Sequence, residues 1–325
     1  MWINPVYDCD SFVRLLQREL PVHLLVALFQ ALRPRQWTKN LVVFAAPLFA
    51  FSTEQTVWFL ACAALFSFCL ISSSIYLVND CLDIESDRAH PVKSKRPIPS
   101  GKVSLPFALS ASLVIAIASF GLAASVKPTL LLVLFLYGLI QIGYCIQIKQ
   151  IPLLDLFCIA SGFLLRAIAG AVAAALPLSP WFLLTVGLLA LFLAIEKRKA
   201  ELRVVQFRGV ITRQVLERYS LPLLLRLEST VATSAFVSYS LWAAGPALKG
   251  ASTSWMLLTV PFVLMGIFRY QLLSDPQEAA RRSVSSLYSS TESPEELLLG
   301  DRGIQLILVG WMISTVAIGF LNHAV

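Results

Sequence analysis

The chain alternates long apolar runs with short polar stretches. The clearest runs cover residues 57–78, 105–126, 129–148, 152–176, 180–195, 229–248, 254–273 and 303–321. Most approach the roughly 20 residues that a helix needs to cross the hydrocarbon of a bilayer. A further span is assembled from 21–32 and 41–51, interrupted by Arg33-Pro34-Arg35-Gln36-Trp37-Thr38-Lys39-Asn40. Pro34 disfavours helix at Arg33 and removes a hydrogen bond behind it, and Trp37 suits a membrane interface. The pattern predicts an all-α polytopic membrane protein with nine transmembrane helices. Residues 21–325 form one membrane-embedded domain after a polar segment, 1–20.

Composition agrees. Of 325 residues 57% are hydrophobic and 14% charged, against about a quarter charged in an ordinary soluble domain. The net charge of +7 does not point to nucleic acid, because the basic residues sit in loops between apolar runs. Only Lys127 and Lys249 fall in the loops of one side, and Arg166 lies within a span. The remaining Lys and Arg fall opposite, which assigns that side to the cytoplasm. The N-terminus is then cytoplasmic and the C-terminus outside, in the plasma or inner membrane. The loops at about 79–104, 196–228 and 274–302 face the cytoplasm. Loop 196–228 is rich in Lys and Arg, and 274–302 in Ser, Glu and Arg. The six cysteines show no metal-ligand spacing and read as free thiols in apolar surroundings.

Directly after the 57–78 run comes Asn79-Asp80-Cys81-Leu82-Asp83-Ile84-Glu85-Ser86-Asp87-Arg88, then His90-Pro91-Val92-Lys93-Ser94-Lys95-Arg96-Pro97. Carboxylates at the mouth of a membrane helix are rare and are functional candidates. Asn79, Asp83 and Asp87 are spaced four apart, on one helix face, with Asp80 flanking it. Like charges at that spacing repel, and a hard divalent cation reverses the sign. The cluster reads as a platform for a Mg²⁺-bound diphosphate, with Lys93, Lys95 and Arg96 at hand for remaining phosphate charge. The plainer alternative is a solvated acidic helix end.

Other polar residues lie in apolar surroundings. Arg166 falls about fourteen residues into its span, roughly 20 Å along a helix axis. Such a charge calls for water or an anion, which favours an internal anion-binding cavity; the alternative is a structural pair with Asp155. Gly162, Ala167, Ala169 and Gly170 around it permit close helix contact. Tyr144, Lys149 and Asp155 gather at a helix turn, Lys39 lies in the broken first span, and Lys197, Arg198 and Glu201 end another. Each of these basic groups also serves as a plain topology signal.

The motif Asn79-Asp-x-x-Asp83-x-x-x-Asp87 followed by a basic Arg-Pro loop resembles the first motif of the UbiA-type intramembrane prenyltransferase superfamily. One branch, the decaprenyl-phosphate phosphoribosyltransferases, is also resembled at Arg33–Asn40, His90–Gly101, Gly162-Phe163-Leu164-Leu165-Arg166-Ala167-Ile168-Ala169-Gly170, Ser179-Pro180-Trp181-Phe182 and Glu196-Lys197-Arg198-Lys199-Ala200-Glu201-Leu202. The resemblance implies a UbiA-like bundle with a central cavity facing the cytoplasm. It also implies phosphoribosyl diphosphate and a polyprenyl phosphate as substrates, and a lipid-linked pentose for cell-envelope glycans as product. Mg²⁺ is implied on Asn79, Asp80, Asp83 and Asp87, with Asp83, Asp87 and Lys197 as catalytic residues. Lys39, Arg88, Lys93, Arg96, Tyr144, Lys149, Asp155, Arg166, Arg198 and Glu201 would bind substrate. A homo-oligomer is compatible with this reading.

True prenyltransferases carry a second acidic motif where this chain has Lys197-x-x-x-Glu201. An ammonium in place of a carboxylate favours direct phosphate binding over a second metal platform. Two rivals remain. An aromatic prenyltransferase shares the fold and first motif. A transporter would place polar residues through to both sides, whereas the outer loops here are short and nearly uncharged.

Overall fold

The structure, a computed structural model, describes residues 22–89, 92–208, 214–275, 278 and 300–324. The polar segment 1–20, His90 and Pro91 of the basic loop, part of loop 196–228 and most of loop 274–302 lie outside the described residues. Helix α1 (Val22–Ala31) is followed by a 3₁₀ segment, Pro34–Phe44, and the short α2 (Ala45–Phe49). Then come α3 (Gln55–Leu82), α4 (Ile84–Ala89), α5 (Leu105–Val126), α6 (Pro128–Ile146), α7 (Leu154–Ala174), α8 (Pro180–Arg208), α9 (Leu221–Ala243), α10 (Val260–Leu273) and α11 (Arg302–Ala324). Several begin with proline in the first turn, at Pro106, Pro128, Pro222 and Pro261. There the missing N–H costs nothing and φ is already helical.

Among the described residues, seven helical stretches are long and apolar enough to cross a membrane: Gln55–Leu82, Leu105–Val126, Pro128–Ile146, Leu154–Ala174, Pro180–Arg203, Ser254–Leu273 and Arg302–Asn322. The other two of the nine expected spans take different forms. The first is not a single helix. Arg33 adopts a left-handed backbone (φ 55°, ψ 60°) before Pro34, and eleven residues of 3₁₀ helix follow. Runs of that length are uncommon. The segment is pressed against α7, where a Cβ on Gly170 would stand 1.8 Å from the carbonyl oxygen of Val43. Only glycine allows this approach. The expected span 229–248 lies in α9, which begins earlier, at Leu221, and ends at Ala243. It takes in Arg226 and Glu228 and is more polar along its length.

Helices α3 and α7 are central, with more than half of their apolar stretches buried, while α5 and α11 turn large side chains such as Leu113, Leu306 and Phe320 outward. Such faces suit lipid. Helix α7 is the shared wall. Leu165, Ala169 and Ala173 pack with Phe68, Ile71 and Leu134 of α3 and α6. Leu156 joins Ile195, Leu216 and Leu224 on the other side. Ala167 meets Phe182 and Trp242. Small residues on α7 allow this triple packing, as their pattern predicts. The five cysteines among the described residues are free thiols.

Candidate active site

The acidic motif closes the end of α3. The helix stops at Leu82, Asp83 leaves helical geometry (φ −94°, ψ 13°) and α4 restarts at Ile84. The expected unbroken helix is thus kinked at Asp83. Its register survives, because Asp83 N donates to Asn79 O at 2.9 Å and Asp87 N to Asp83 O at 2.8 Å. Asn79, Asp83 and Asp87 therefore stay on successive turns, and the kink places Asp83 at the mouth.

Basic side chains from three separate chain segments meet these carboxylates. Arg33 Nη2 donates to Asp80 Oδ1. Arg96 Nη1 reaches the same oxygen at 3.2 Å and Asp87 Oδ2 at 2.8 Å. One nitrogen bonded to both sets Asp80 and Asp87 side by side. Lys93 Nζ lies 3.8 Å from Asp87 Oδ1, and Lys149, from the turn between α6 and α7, donates to Asp83 Oδ1. Asp80 is 1% exposed, whereas the four cations keep between 18% and 31% of their side chains open. Buried Asp80 and Asp87 and half-buried Asp83 thus anchor cations that keep part of their side chains accessible. Burial, with the nearby Arg33 charge, pulls the Arg96 guanidinium below its usual value, and Asp80 and Asp87 push it back.

Arg33 is a site residue that the sequence did not single out. Its signal is the break itself, a non-glycine residue in the left-handed region just before proline. Strain of this kind persists where surroundings hold it. Here Trp37 Nε1 donates to Ser73 Oγ at 3.0 Å, Ser73 Oγ to Leu32 O at 3.0 Å, and the guanidinium lies 4.9 Å over the Tyr76 ring.

The second expected motif is arranged differently from a substrate-facing set. Arg198 is fully buried, its Nε 2.7 Å from Asp155 Oδ2, its Nη1 on Glu201 and its Nη2 3.3 Å from Tyr144 Oη. Tyr219 Oη donates to Asp155 Oδ1 at 2.7 Å and accepts from Leu153 N at 2.7 Å. Burial and that bond to Asp155 raise the Tyr219 phenol above its usual value. Tyr144, Asp155, Arg198 and Glu201, expected to bind substrate, are joined to one another through Arg198. Desolvated charges demand partners, and here they find them within the protein. Tyr219, in a loop without pattern, gave no sequence signal. Lys199 turns to Glu196 at 2.8 Å and to Glu228. Along 194–202 every side chain is buried except Lys197, which is half-buried. Lys39 is half-buried on the 3₁₀ segment.

Arg88 is exposed and donates to Pro99 O at 3.2 Å; it ties α4 to the following loop. Arg166 does not pair with Asp155, the structural alternative for it. Its Nε donates to Asn40 Oδ1 at 2.6 Å, its Nη1 to Gly162 O at 2.7 Å and its Nη2 to Tyr137 Oη at 2.9 Å.

Among the described residues no three His, Cys, Asp or Glu side chains form a ready-made metal cage. Mg²⁺ does not require one. It takes one or two carboxylates and completes its shell with water and substrate phosphates. The hard oxygens of Asn79, Asp83 and Asp87 on successive turns fit that donor chemistry.

Residues 40–290 match the UbiA prenyltransferase family. The chain belongs to that family. Among its relatives it is 38% identical to the decaprenyl-phosphate phosphoribosyltransferase of Mycolicibacterium smegmatis, over 90% of this chain and 92% of that one. It is 36% identical to the enzyme of the same name from Corynebacterium glutamicum, over 92% and 89%. In fold it is similar to a UbiA homolog from Archaeoglobus fulgidus bound to GPP and Mg²⁺, with a TM-score of 0.66 and 19% identity, covering 92% of this chain and all of that one.

Proposed function

We propose that the chain transfers 5-phosphoribose from phosphoribosyl diphosphate to a polyprenyl phosphate of decaprenyl type, releasing pyrophosphate. The relatives of that name support the reaction class. The observation that carries the reading within this chain is the contrast between its two polar motifs. The first gathers carboxylates and cations at an opening. The second keeps its Glu201 on Arg198 and leaves Lys197 as its one incompletely buried side chain. One acidic platform facing further cations suits two phosphate-bearing substrates better than a second metal site does. This favours phosphoribosyl transfer over aromatic prenylation. The transporter rival would need polar groups along the whole bundle, and the described ion pairs with carboxylates gather mostly at one end, with Arg166 alone deep in a span.

Asn79, Asp83 and Asp87 would hold Mg²⁺, which when bound neutralises diphosphate charge and stabilises the leaving pyrophosphate. Asp80 holds Arg33 and Arg96 in place. Arg33, Lys93, Arg96 and Lys149 bind and orient the diphosphate as negative charge builds on the oxygen that links it to C1 of the ribose. Lys39 and Lys197 steady the other phosphate groups. The bond from C1 of the ribose to that oxygen breaks with oxocarbenium character at C1, and a lipid phosphate oxygen forms the new bond. That oxygen is already ionised at neutral pH, so no strong base is needed. The remaining features of the reading are nine spans in one domain from residue 21, the site facing the cytoplasm, and a product destined for cell-envelope glycans.

The test uses purified full-length chain with Mg²⁺. One tube holds polyprenyl phosphate and ribose-labelled phosphoribosyl diphosphate; the other holds labelled prenyl diphosphate and 4-hydroxybenzoate. Label is expected in the lipid phase of the first tube alone. Label only in the prenylated aromatic overturns the proposal.

A further inference from the structure

Arg166 is 5% exposed in the middle of α7, and arginine does not lose its proton in proteins. Buried charges of this kind are normally paired. Among the described residues Arg166 has no carboxylate partner. Its three hydrogen bonds go to an amide oxygen, a backbone carbonyl and a phenol. The faces of Tyr137, Phe163 and Phe68 complete its shell, with ring centres 4.9, 5.6 and 5.7 Å from the guanidinium carbon. These groups satisfy its geometry and leave its charge standing.

The partner at Nε is Asn40, which is completely buried. Its Nδ2 is held by Cys69 Sγ at 3.2 Å and Ser72 Oγ at 3.4 Å. Those contacts fix the amide so that its oxygen faces Arg166. The position is connected to the site. Lys39 is the preceding residue, and along α3 Ser72 bonds Asn40, Ser73 bonds Trp37 and Tyr76 follows about one turn on. Tyr76 in turn stacks under Arg33. A polar column thus runs from the carboxylates down α3 to Arg166.

We propose that Asn40 is a positioning and specificity residue, whose neutral amide holds Arg166 without cancelling its charge. The inference rests on the phosphate-bearing substrates proposed above and deepens that reading. The standing charge attracts a phosphate group at the inner part of the site. An aspartate at position 40 would preserve shape and hydrogen bonding to Arg166 while removing the net charge.

The experiment compares wild type with Asn40→Asp in purified full-length chain. It measures KM for phosphoribosyl diphosphate and for polyprenyl phosphate separately, together with kcat, Tm and calorimetric binding of inorganic pyrophosphate. The expected result is a Tm equal to or above wild type, because an ion pair has formed. KM for one of the two substrates should rise about tenfold, the scale of a single charge at partly buried separation, with kcat within about threefold. Which KM rises identifies the phosphate concerned. KM values and pyrophosphate binding both unchanged in a folded variant overturn the proposal. So does a fall in kcat and Tm with KM unchanged, which marks Asn40 as structural only. If Asn40→Asp does not fold, Arg166→Gln is read by the same KM criterion. If wild type shows no phosphoribosyl transfer, the proposed function fails, and pyrophosphate binding still decides whether the charge attracts phosphate.

Discussion

Asp83 and Asp87 differ in surroundings although both belong to one motif. Asp87 is buried against Arg96 and Lys93, whereas Asp83 stands at the kink with about a third of its side chain open. Asp83→Asn should therefore keep the fold and reduce transfer by at least about a hundredfold, the scale seen when a single electrostatic contributor is removed. Tm should stay within about 2 °C of wild type, consistent with a partly exposed substitution of small ΔΔG. Asp155→Ala behaves oppositely. It strips Arg198 and Tyr219 of their shared partner in a fully buried place, and should cost about 3 kcal/mol or more of stability, read as a clear drop in Tm. The gathering of the acidic residues was legible from residue type and spacing. The inward bonding of Tyr144, Arg198 and Glu201 was not, because it depends on Asp155 and Tyr219 arriving from other elements. A sequence shows that a charge is there; its partner is set by packing.

At the scale of elements, the 3₁₀ segment Pro34–Phe44 carries Lys39 and Asn40 and begins beside Arg33. Its seat is the close approach of Val43 to Gly170. Gly170→Ala should push the segment off α7, lowering stability by about 1–3 kcal/mol as overpacking does. Activity should fall further than Tm alone explains, because Lys39, Asn40 and Arg33 shift together. A melting curve beside an activity measurement checks this; unchanged activity with lowered Tm would separate the segment from the site. Apolar length and proline positions revealed α5, α6 and α7 closely. The break in the first span was visible at Pro34, but not the left-handed turn at Arg33 or the long 3₁₀ run, which follow from contact with α3 and α7. The early start of α9 was hidden because Arg226 and Glu228 interrupt the apolar pattern.

Across the whole molecule, α7 joins two halves, and the charged networks gather where α3, α6 and α8 end and α7 begins. That concentration follows the basic-loop asymmetry already present in the sequence, whereas the pairing of the carboxylates with Arg33, Arg96 and Lys149 required the fold. Chelation of Mg²⁺ with excess EDTA should abolish transfer reversibly and leave the helical content unchanged by circular dichroism, since the carboxylates are already balanced by cations within the protein. The most direct measurement counts pyrophosphate against lipid-linked phosphoribose in one reaction containing full-length protein, Mg²⁺, phosphoribosyl diphosphate and polyprenyl phosphate. The expected result is equimolar formation of the two, dependent on both substrates and lost in Asp83→Asn. Pyrophosphate released without a phosphoribosyl lipid, or the same product yield from Asp83→Asn, would contradict transfer at this site.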